Sequence, residues 1–554
     1  MRMSGADITI KLLENQGIKV IAGIPGGGNL PLYDALYKSN IKHVLARHEQ
    51  GAAFIAQGIA RTTGKAAVCF ATSGPGATNL LTAIADAKLD SVPMVAITGQ
   101  VPFLLVGTDA FQEVDTYGLT VPITKHNFFV RSIEELFTVI PEAFRYAECG
   151  RPGPVVIDIP KNLQSEMYEF EGFPKLEDID EYVEPVNIHF LKEAAEYINS
   201  SKKPVLYIGG GIPIAQGEEL IRKLSEKSNI PVATTLMGLG SFPLDNPLYL
   251  GMLGMHGARY TNILLEEADL LLAFGVRFDD RATGNVGKFC PRAKIIHIDI
   301  DEAEIGKIKK VDLSIQGDIN KVLEDLIPLI EENSRKAWVE EIRTKKMELP
   351  FVLPDKKDYY HPLNIIKMVS EMSGNAIVTT DVGQHQMWTA QVYPVKEPRT
   401  FLTSGGLGTM GFGLPAAIGA AIAMPDRMVI CFAGDGSLLM NIQELATLAD
   451  LGLNVKIIVM NNGHLGLVRQ QQQMFYHEHY MACKFQTDPD FAMIAEGFKI
   501  KGYTLSRDIN PEETLKKILL EKGPALINVP INQFENVFPI VPPGAGNTEM
   551  VGGE

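Results

Sequence analysis

Gly434, Asp435, Gly436 and Ser437 close the apolar run MVICFAG, and a second apolar run, VKIIVM, ends in Asn461 and Asn462. Between them LMNIQELATLADLG has helical period and stops at Gly452. The unit reads strand, loop, helix, strand, so Asp435 and Asn462 should emerge at the same edge of neighbouring or near-neighbouring parallel strands. A carboxylate, an amide carbonyl and a loop backbone carbonyl, for which His464 is the candidate, are hard oxygen ligands. They leave octahedral positions open for phosphate oxygens and water, the pattern Mg²⁺ prefers. Gly434 and Gly436 allow close backbone approach, and Ser437 with the free N–H groups of the new helix can receive phosphate charge. Taken singly, G-D-G is a turn and N-N a cap. Taken together, a diphosphate held through a divalent cation accounts for both ends of the element. A competing pattern lies just upstream. Gly406-x-Gly408-x-x-Gly411 follows a strand and precedes a helix, with Asp435 at the end of the next strand, as in a dinucleotide fold.

The elements that must position these groups come in sets. Short β-branched runs (VIAGIPGG, HVLARHEQ, AAVCFATSGPG, PMVAITGQ, VVIDIP) alternate with helical patterns over 1–167, which predicts a parallel sheet covered by helices. The acidic stretch Tyr168–Asn187 has neither period and reads as a linker. The alternation resumes over 188–335 (PVLYIGGG, IPVATTL, ADLLLAFGVRFDD, AKIIHIDID). After a charged connector it returns over 360–540 (AIVTTDVG, RTFLTSGG, RMVICFAGDG, VKIIVMNN, ALINVPI), leaving a tail at 541–554. The expected fold class is therefore α/β, with three doubly wound parallel-sheet domains, the first and third looking like two versions of one architecture. In the third, each strand ends in polar or glycine residues at the carboxyl edge, where open α/β sheets bind ligands.

Length agrees, because 554 residues exceed one core of roughly 100–200 residues. The net charge of −15 excludes a broad nucleic-acid surface. No apolar run approaches the ~18 residues of a membrane span. A soluble protein with small-molecule or protein partners is expected. Cys69, Cys149, Cys290, Cys431 and Cys483 show no CxxC spacing and read as buried thiols in a reducing compartment. The N-terminus passes straight into a helical pattern without a signal-peptide core, so the expected location is cytoplasmic.

GDGS followed by NN resembles the diphosphate-binding signature of thiamine diphosphate enzymes. RHEQGAAFIAQGIART and SGPGATN resemble the pyrimidine-binding domain of that superfamily. GTDAFQE, GRPGPVVIDIPK, LGMLGMHG, GVRFDDRATG, HIDIDEAEIGK, DVGQHQMW, SGGLGTMGFGLPAAIGAA and the closing VPPGAGNTEMVGGE narrow the resemblance to the acetohydroxyacid synthase (acetolactate synthase) large subunit. It spans nearly the whole chain, with the motifs in order.

The resemblance implies a pyrimidine-binding domain and a diphosphate/Mg²⁺-binding domain flanking a central FAD-binding domain. It also implies decarboxylation of pyruvate on thiamine diphosphate and attack of the resulting hydroxyethyl carbanion on a second 2-keto acid. By carry-over Glu49 polarises the coenzyme's aminopyrimidine across a subunit boundary, and Met410 is wedged between the two rings. Without the resemblance, Glu49 would be a solvated helix-start residue and Met410 core filler. Gln384 and His385 match cofactor contacts, though either could cap a strand end. Arg281 matches the arginine for the acceptor carboxylate; its bland alternative is an ion pair with Asp279 or Asp280. Phe111, Gln112, Lys161, Met255, His256 and Val382 match further pocket positions. The FAD set is Arg151, Gly209, Gly210, Gly211, Thr234, Leu236, His256, Arg277, Asp299 and Asp318. GGGIPIAQG is not a full G-x-G-x-x-G, so spacing alone does not show a dinucleotide. A homodimer or larger assembly with shared sites and a small regulatory subunit are implied as well.

One position departs. Where most of the family reads R-Q-W-Q, this chain has VRQQQQ, which places Gln471 at the tryptophan that lines the acceptor pocket. The departure resembles the enterobacterial isozyme I type, and implies weak preference for 2-ketobutyrate over pyruvate and poor inhibition by sulfonylurea-type herbicides. Other thiamine enzymes of this architecture, a pyruvate oxidase or an FAD-free catabolic acetolactate synthase, remain as alternatives, as does a non-catalytic homologue.

Overall fold

The computed structural model describes residues 1–174, 186–507 and 510–553. Three six-stranded sheets carry the chain, each with all its strands parallel, plus a two-stranded ribbon. Their interior strands are largely apolar and buried on both faces, as helices on both sides of a sheet require.

Numbering strands in chain order within each domain, the first sheet (Val20–Gly23, Lys42–Leu45, Ala67–Ala71, Met94–Gln100, His126–Phe129, Pro154–Pro160) is ordered 2-1-3-4-6-5. The third (Ile377–Thr380, Phe401–Leu402, Val429–Gly434, Val455–Asn461, Lys501–Thr504, Ala525–Pro530) has the same order. The central sheet (Pro204–Ile208, Val232–Thr234, Tyr249–Met252, Leu270–Phe274, Lys294–Asp299, Leu313–Gln316) is ordered 3-2-1-4-5-6, the arrangement of dinucleotide-binding sheets. Tyr168 and Glu169, expected as linker, lie instead in the strand Met167–Glu169, which pairs antiparallel with Arg2–Ser4. Phe170 and Phe173 then pack on Phe137, so aromatic burial rather than strand period holds this stretch. The linker's residues 175–185 lie outside the described ones.

The first and third domains share one core through the helices Glu49–Thr63 and Gly413–Ala423. Both are rich in Ala and Gly, which lets their backbones meet. A Cβ on Gly58 would lie 2.2 Å from the Ala416 carbonyl oxygen, and one on Gly419 2.1 Å from that of Ile55. The contact is reciprocal.

Residues 541–553 fold back onto the central domain. The Val541 N–H donates to the Met255 carbonyl (3.0 Å), the Asn285 N–H to Ala545 (2.9 Å) and Asn547 Nδ2 to the Ala282 carbonyl (2.8 Å). Among the described residues no helix is long and apolar enough to cross a membrane. None of the cysteines is in a disulfide; four are buried and Cys149 is half-buried.

Candidate active site

Asp435 and Asn462 do emerge side by side. Val429–Gly434 and Val455–Asn461 are neighbouring strands with Gly434 opposite Met460. The two Asp435 carboxylate oxygens accept the N–H groups of Gly436 (2.8 Å) and Gly463 (2.7 Å), which aims the carboxylate along the sheet edge. Burial pushes its pKa up to about 6, a penalty that a bound cation would relieve. Asn462 donates to Gln384 Oε1 (3.2 Å) and accepts the His464 N–H (3.0 Å); His464 Nδ1 sits 2.9 Å from the Asn462 carbonyl. Ser437 Oγ accepts the Gly434 N–H at 3.0 Å.

His385 is buried on the same edge, held neutral by burial with its pKa pushed down to about 3, and its Nε2 has no hydrogen-bond partner. A Cβ on Gly434 would come 3.0 Å from His385 Nδ1, so glycine there is what admits the ring. This donor set suits a diphosphate and its Mg²⁺: hard oxygens and one unclaimed buried nitrogen. Among the described residues no three His, Cys, Asp or Glu side chains cluster as a self-contained metal centre.

The loop leading to Met410 is fixed on both sides. Gly408 and Gly411 take φ of +71° and +93°, and the Gly411 N–H donates to Asp381 (2.7 Å), a buried acid raised to about 6 by burial. Met410 is half-buried between them.

In the first domain Glu49 opens its helix, with His48 as the N-cap. The residue is 8% exposed, and Asn79 Nδ2 donates to its Oε2 at 2.9 Å. No basic side chain pairs with it among the described residues, so a buried acid is left with acceptor capacity to spare. Two groups that the motifs did not flag hold it there. Glu444, from the third domain, accepts the N–H groups of Arg47 and His48 (3.0 Å each), and Asn441 donates to Gln50 (3.0 Å) and to the Gly411 carbonyl (2.8 Å). Their signal in the sequence is an acid and an amide inside an otherwise apolar helical pattern. Gln112 adopts φ of +60° and its carbonyl packs against Gly74; Lys161 opens the helix after Pro154–Pro160. Phe111 is 88% exposed. None of Glu49, Phe111, Gln112 and Lys161 lines the large cavity described next.

That cavity, about 910 Å³, runs where the three domains meet, a volume suited to a large cofactor. Gly209, Gly210, Gly211, Leu236, His256, Arg277, Asp299, Asp318 and Arg151 all line it. Thr234 does not. Its side chain is buried, with the hydroxyl 3.2 Å from that of Tyr249, because alternate strand residues face opposite sides, and it is Thr235 that reaches the cavity. The glycines sit where the strand order of the central sheet reverses: a Cβ on Gly209 would lie 2.5 Å from the Gly275 carbonyl oxygen. Arg151 is held by Asp301 (3.0 Å), Glu304 (2.7 Å) and Ser91 (2.9 Å). Asp299 is raised to about 6, and His256 lowered to about 4, by burial.

Arg281, Met255, Val382, Gln471 and Gly408 line the same cavity. The Arg281–Asp280 pair is long (3.7 Å) and mostly exposed, hence weak. Asp279 is occupied in capping its own helix, accepting from the Arg281 and Ala282 N–H groups. The guanidinium lines the cavity, with Met255 Sδ 3.5 Å from Nη1. So the predicted residues fall into three groups: Glu49 with Phe111, Gln112 and Lys161 on the first domain, the Asp435–Asn462 sheet edge with Gln384, His385 and Met410 on the third, and the residues of the cavity where the three domains meet.

Residues 3–119, 191–326 and 381–529 match, respectively, the N-terminal TPP binding domain, the central domain and the C-terminal TPP binding domain of thiamine pyrophosphate enzymes. Over its full length the chain is 55% identical to the acetolactate synthase isozyme 1 large subunit of Escherichia coli K12, covering 98% of that protein. It is 46% identical to the isozyme 2 large subunit of the same organism, over 99% of both chains, and 46% identical to a probable acetolactate synthase large subunit of Methanocaldococcus jannaschii, over 99% of this chain and 95% of that one. With all three domain families in order and full-length relatives well above 30% identity, the chain belongs to the acetolactate synthase large-subunit family of thiamine pyrophosphate enzymes.

Proposed function

We propose that this chain is the catalytic subunit of an acetolactate synthase. It would join two 2-keto acids with loss of CO₂, giving 2-acetolactate from two pyruvates and 2-aceto-2-hydroxybutyrate from pyruvate and 2-ketobutyrate, for valine, leucine and isoleucine synthesis. Thiamine diphosphate, when bound, supplies the nucleophilic carbon and the electron sink that decarboxylation needs. Asp435, Asn462 and the His464 carbonyl would hold Mg²⁺ and through it the diphosphate. Glu49 would hold a proton against the far nitrogen of the aminopyrimidine, and Met410 would keep the two rings folded together. Arg281 would receive the acceptor's carboxylate in the pocket of Met255, Val382 and Gln471, where a guanidinium matches a planar carboxylate in two-point fashion. Gln112 and Lys161 complete the pocket from the Glu49 side.

The observation that carries this reading is the placement of Asp435 and Asn462 at the ends of adjacent strands while Glu49 stays buried with no basic partner among the described residues. Glu49 keeps acceptor capacity that no basic side chain of its own chain uses among the described residues, which further supports a homodimer in which Glu49 of one copy faces the Asp435 edge of another. The central-domain glycines at the strand-order reversal, with Arg151, Arg277, Asp299 and Asp318, suit FAD; the chemistry has no net redox step, so the flavin's role is structural. The relatives' designation as large subunits supports a small regulatory partner. A cytoplasmic location goes with this biosynthetic role.

The test is product analysis with pyruvate, with and without thiamine diphosphate and Mg²⁺, on wild type and Glu49→Gln. Acetolactate should require both additions, and Glu49→Gln should be slower by about 100-fold or more, the scale of a lost acid–base group. Acetolactate formation independent of thiamine diphosphate would overturn the assignment.

A further inference from the structure

Arg61, Asp86 and Asp90 form a buried ionic cluster that none of the site motifs explains. The side chains are 7%, 0% and 0% exposed. Arg61 Nη2 reaches Asp86 at 3.0 Å and Asp90 at 2.9 Å, and Gln57 Oε1 accepts from the same guanidinium. One cation against two acids leaves carboxylate oxygens to be satisfied, and all that remain are spent on the third domain. Asp90 accepts the N–H groups of Gly405 (3.0 Å) and Gly406 (2.7 Å). Asp86 accepts the hydroxyls of Ser404 and of Thr409 (3.0 Å), and Arg61 Nη1 donates to the Thr403 carbonyl (3.1 Å).

Local preference does not account for the two acids. Asp86 lies in the last turn of the helix Pro75–Leu89 and Asp90 is its C-cap, where the helix dipole disfavours negative charge. A buried ion cluster is also poor evidence for stability, because apolar packing of the same volume usually does as well. What the cluster does supply is position. Every loop residue it grips lies between Thr403 and Thr409. Ser404, Gly405, Gly406, Leu407 and Gly408 line the large cavity, as do Arg61 and Asp90, and Met410 follows Thr409 directly. Gly406 can come this close only as glycine: a Cβ there would sit 2.8 Å from Leu89 Cβ and 2.9 Å from Asp90 Oδ1. Arg61 also lies over the Phe412 ring at 4.9 Å, so the cluster holds both sides of Met410.

We propose that Arg61, Asp86 and Asp90 are positioning residues for the reaction: a clamp by which the first domain sets the height of the Thr403–Thr409 loop and so the placement of Met410 against the coenzyme. The proposal rests on the coenzyme reading given above. Arg61 and Asp90 border the same cavity as Arg281, but their polar atoms are spent on one another and on the Thr403–Thr409 loop and none of their bonds goes to Arg281, so loss of the clamp should lower turnover without weakening pyruvate binding.

The test uses Thr409→Val, which keeps shape but drops the hydroxyl bond to Asp86, Thr409→Ser, which restores it, and Asp90→Asn. At saturating thiamine diphosphate, Mg²⁺ and FAD, Thr409→Val and Asp90→Asn should lose about tenfold or more in kcat, with KM for pyruvate within about twofold, as misplacement by a fraction of an ångström predicts. Thr409→Ser should keep most of the wild-type kcat. Amide hydrogen exchange at Gly405, Gly406 and Thr409 should speed up by about tenfold in Asp90→Asn. Unchanged kcat in both damaged variants, even with a lowered melting temperature, would overturn the proposal, and so would unchanged exchange at the loop. If wild type itself makes no acetolactate, the functional assignment fails, while the exchange data still decide whether the clamp fixes the loop.

Discussion

Gly58→Ala is the sharpest probe of how the first and third domains are joined. The added Cβ would sit 2.2 Å from the Ala416 carbonyl oxygen, with Ala416 C and Cα at 2.9 and 3.0 Å. All three are backbone atoms of a packed helix, so relief requires the two helices to move apart by about 1 Å. Overpacking of this kind costs about 1–3 kcal/mol, and backbone on backbone belongs at the upper end. Alanine's better helix propensity returns about 1 kcal/mol. The net, about 2 kcal/mol, lowers the unfolding midpoint by about 4–8 °C at 2–4 °C per kcal/mol for a large domain. Glu49 lies about 13 Å along the same helix, so a shift of that size should also cost about 10- to 100-fold in kcat. Thermal melting and acetolactate formation read the two effects. Gly497→Ala is the control: it ends another helix and its Cβ would meet nothing within 4 Å. If Gly58→Ala melts with the wild type and turns over at its rate, the shared-core account of the two domains is wrong.

Gln471→Trp should restore a wall to the acceptor pocket and favour 2-ketobutyrate over pyruvate by roughly 1 kcal/mol, about fivefold, in competition assays. Asp158, buried and accepting from the Thr98 hydroxyl and the Gln100 amide, has its pKa pushed up to about 7 by burial, against about 3.9 in an unfolded chain. The folded state holds the extra proton between those values, so melting temperature should fall as pH rises from 5 to 7 and the slope should flatten in Asp158→Asn. Asn547→Ala would cut the tail's bond to the Ala282 carbonyl beside Arg281 and should raise KM for the acceptor by about three- to tenfold, with coenzyme affinity unchanged.

What could be foreseen followed burial. All twelve interior strands of the three sheets stand out as apolar runs, because both faces are covered. Four of the six edge strands do not: His126–Phe129, Leu313–Gln316 and Lys501–Thr504 carry exposed residues, with Leu313–Gln316 strictly alternating buried and exposed, and Tyr249–Met252 is only partly buried. In the site, the Asp435–Asn462 pairing was legible because both groups terminate interior strands. Glu444, Asn441 and the Arg61 clamp were not, since their meaning lies in what another domain places opposite them. The central domain lacks a full glycine fingerprint, and its resemblance to a dinucleotide sheet resides in strand order, which spacing along the chain does not record.

The reciprocal contact between the two alanine-rich helices carries a further lesson. The displacement along the chain that takes Gly58 to Gly419 and Ile55 to Ala416 also takes Glu49 to Met410. The acid proposed to hold a proton and the thioether proposed to wedge the coenzyme rings thus occupy matching places in twin halves of one polypeptide. The chain behaves as a fused pair whose members have taken different jobs at the same address, and neither half is free to drift without the other.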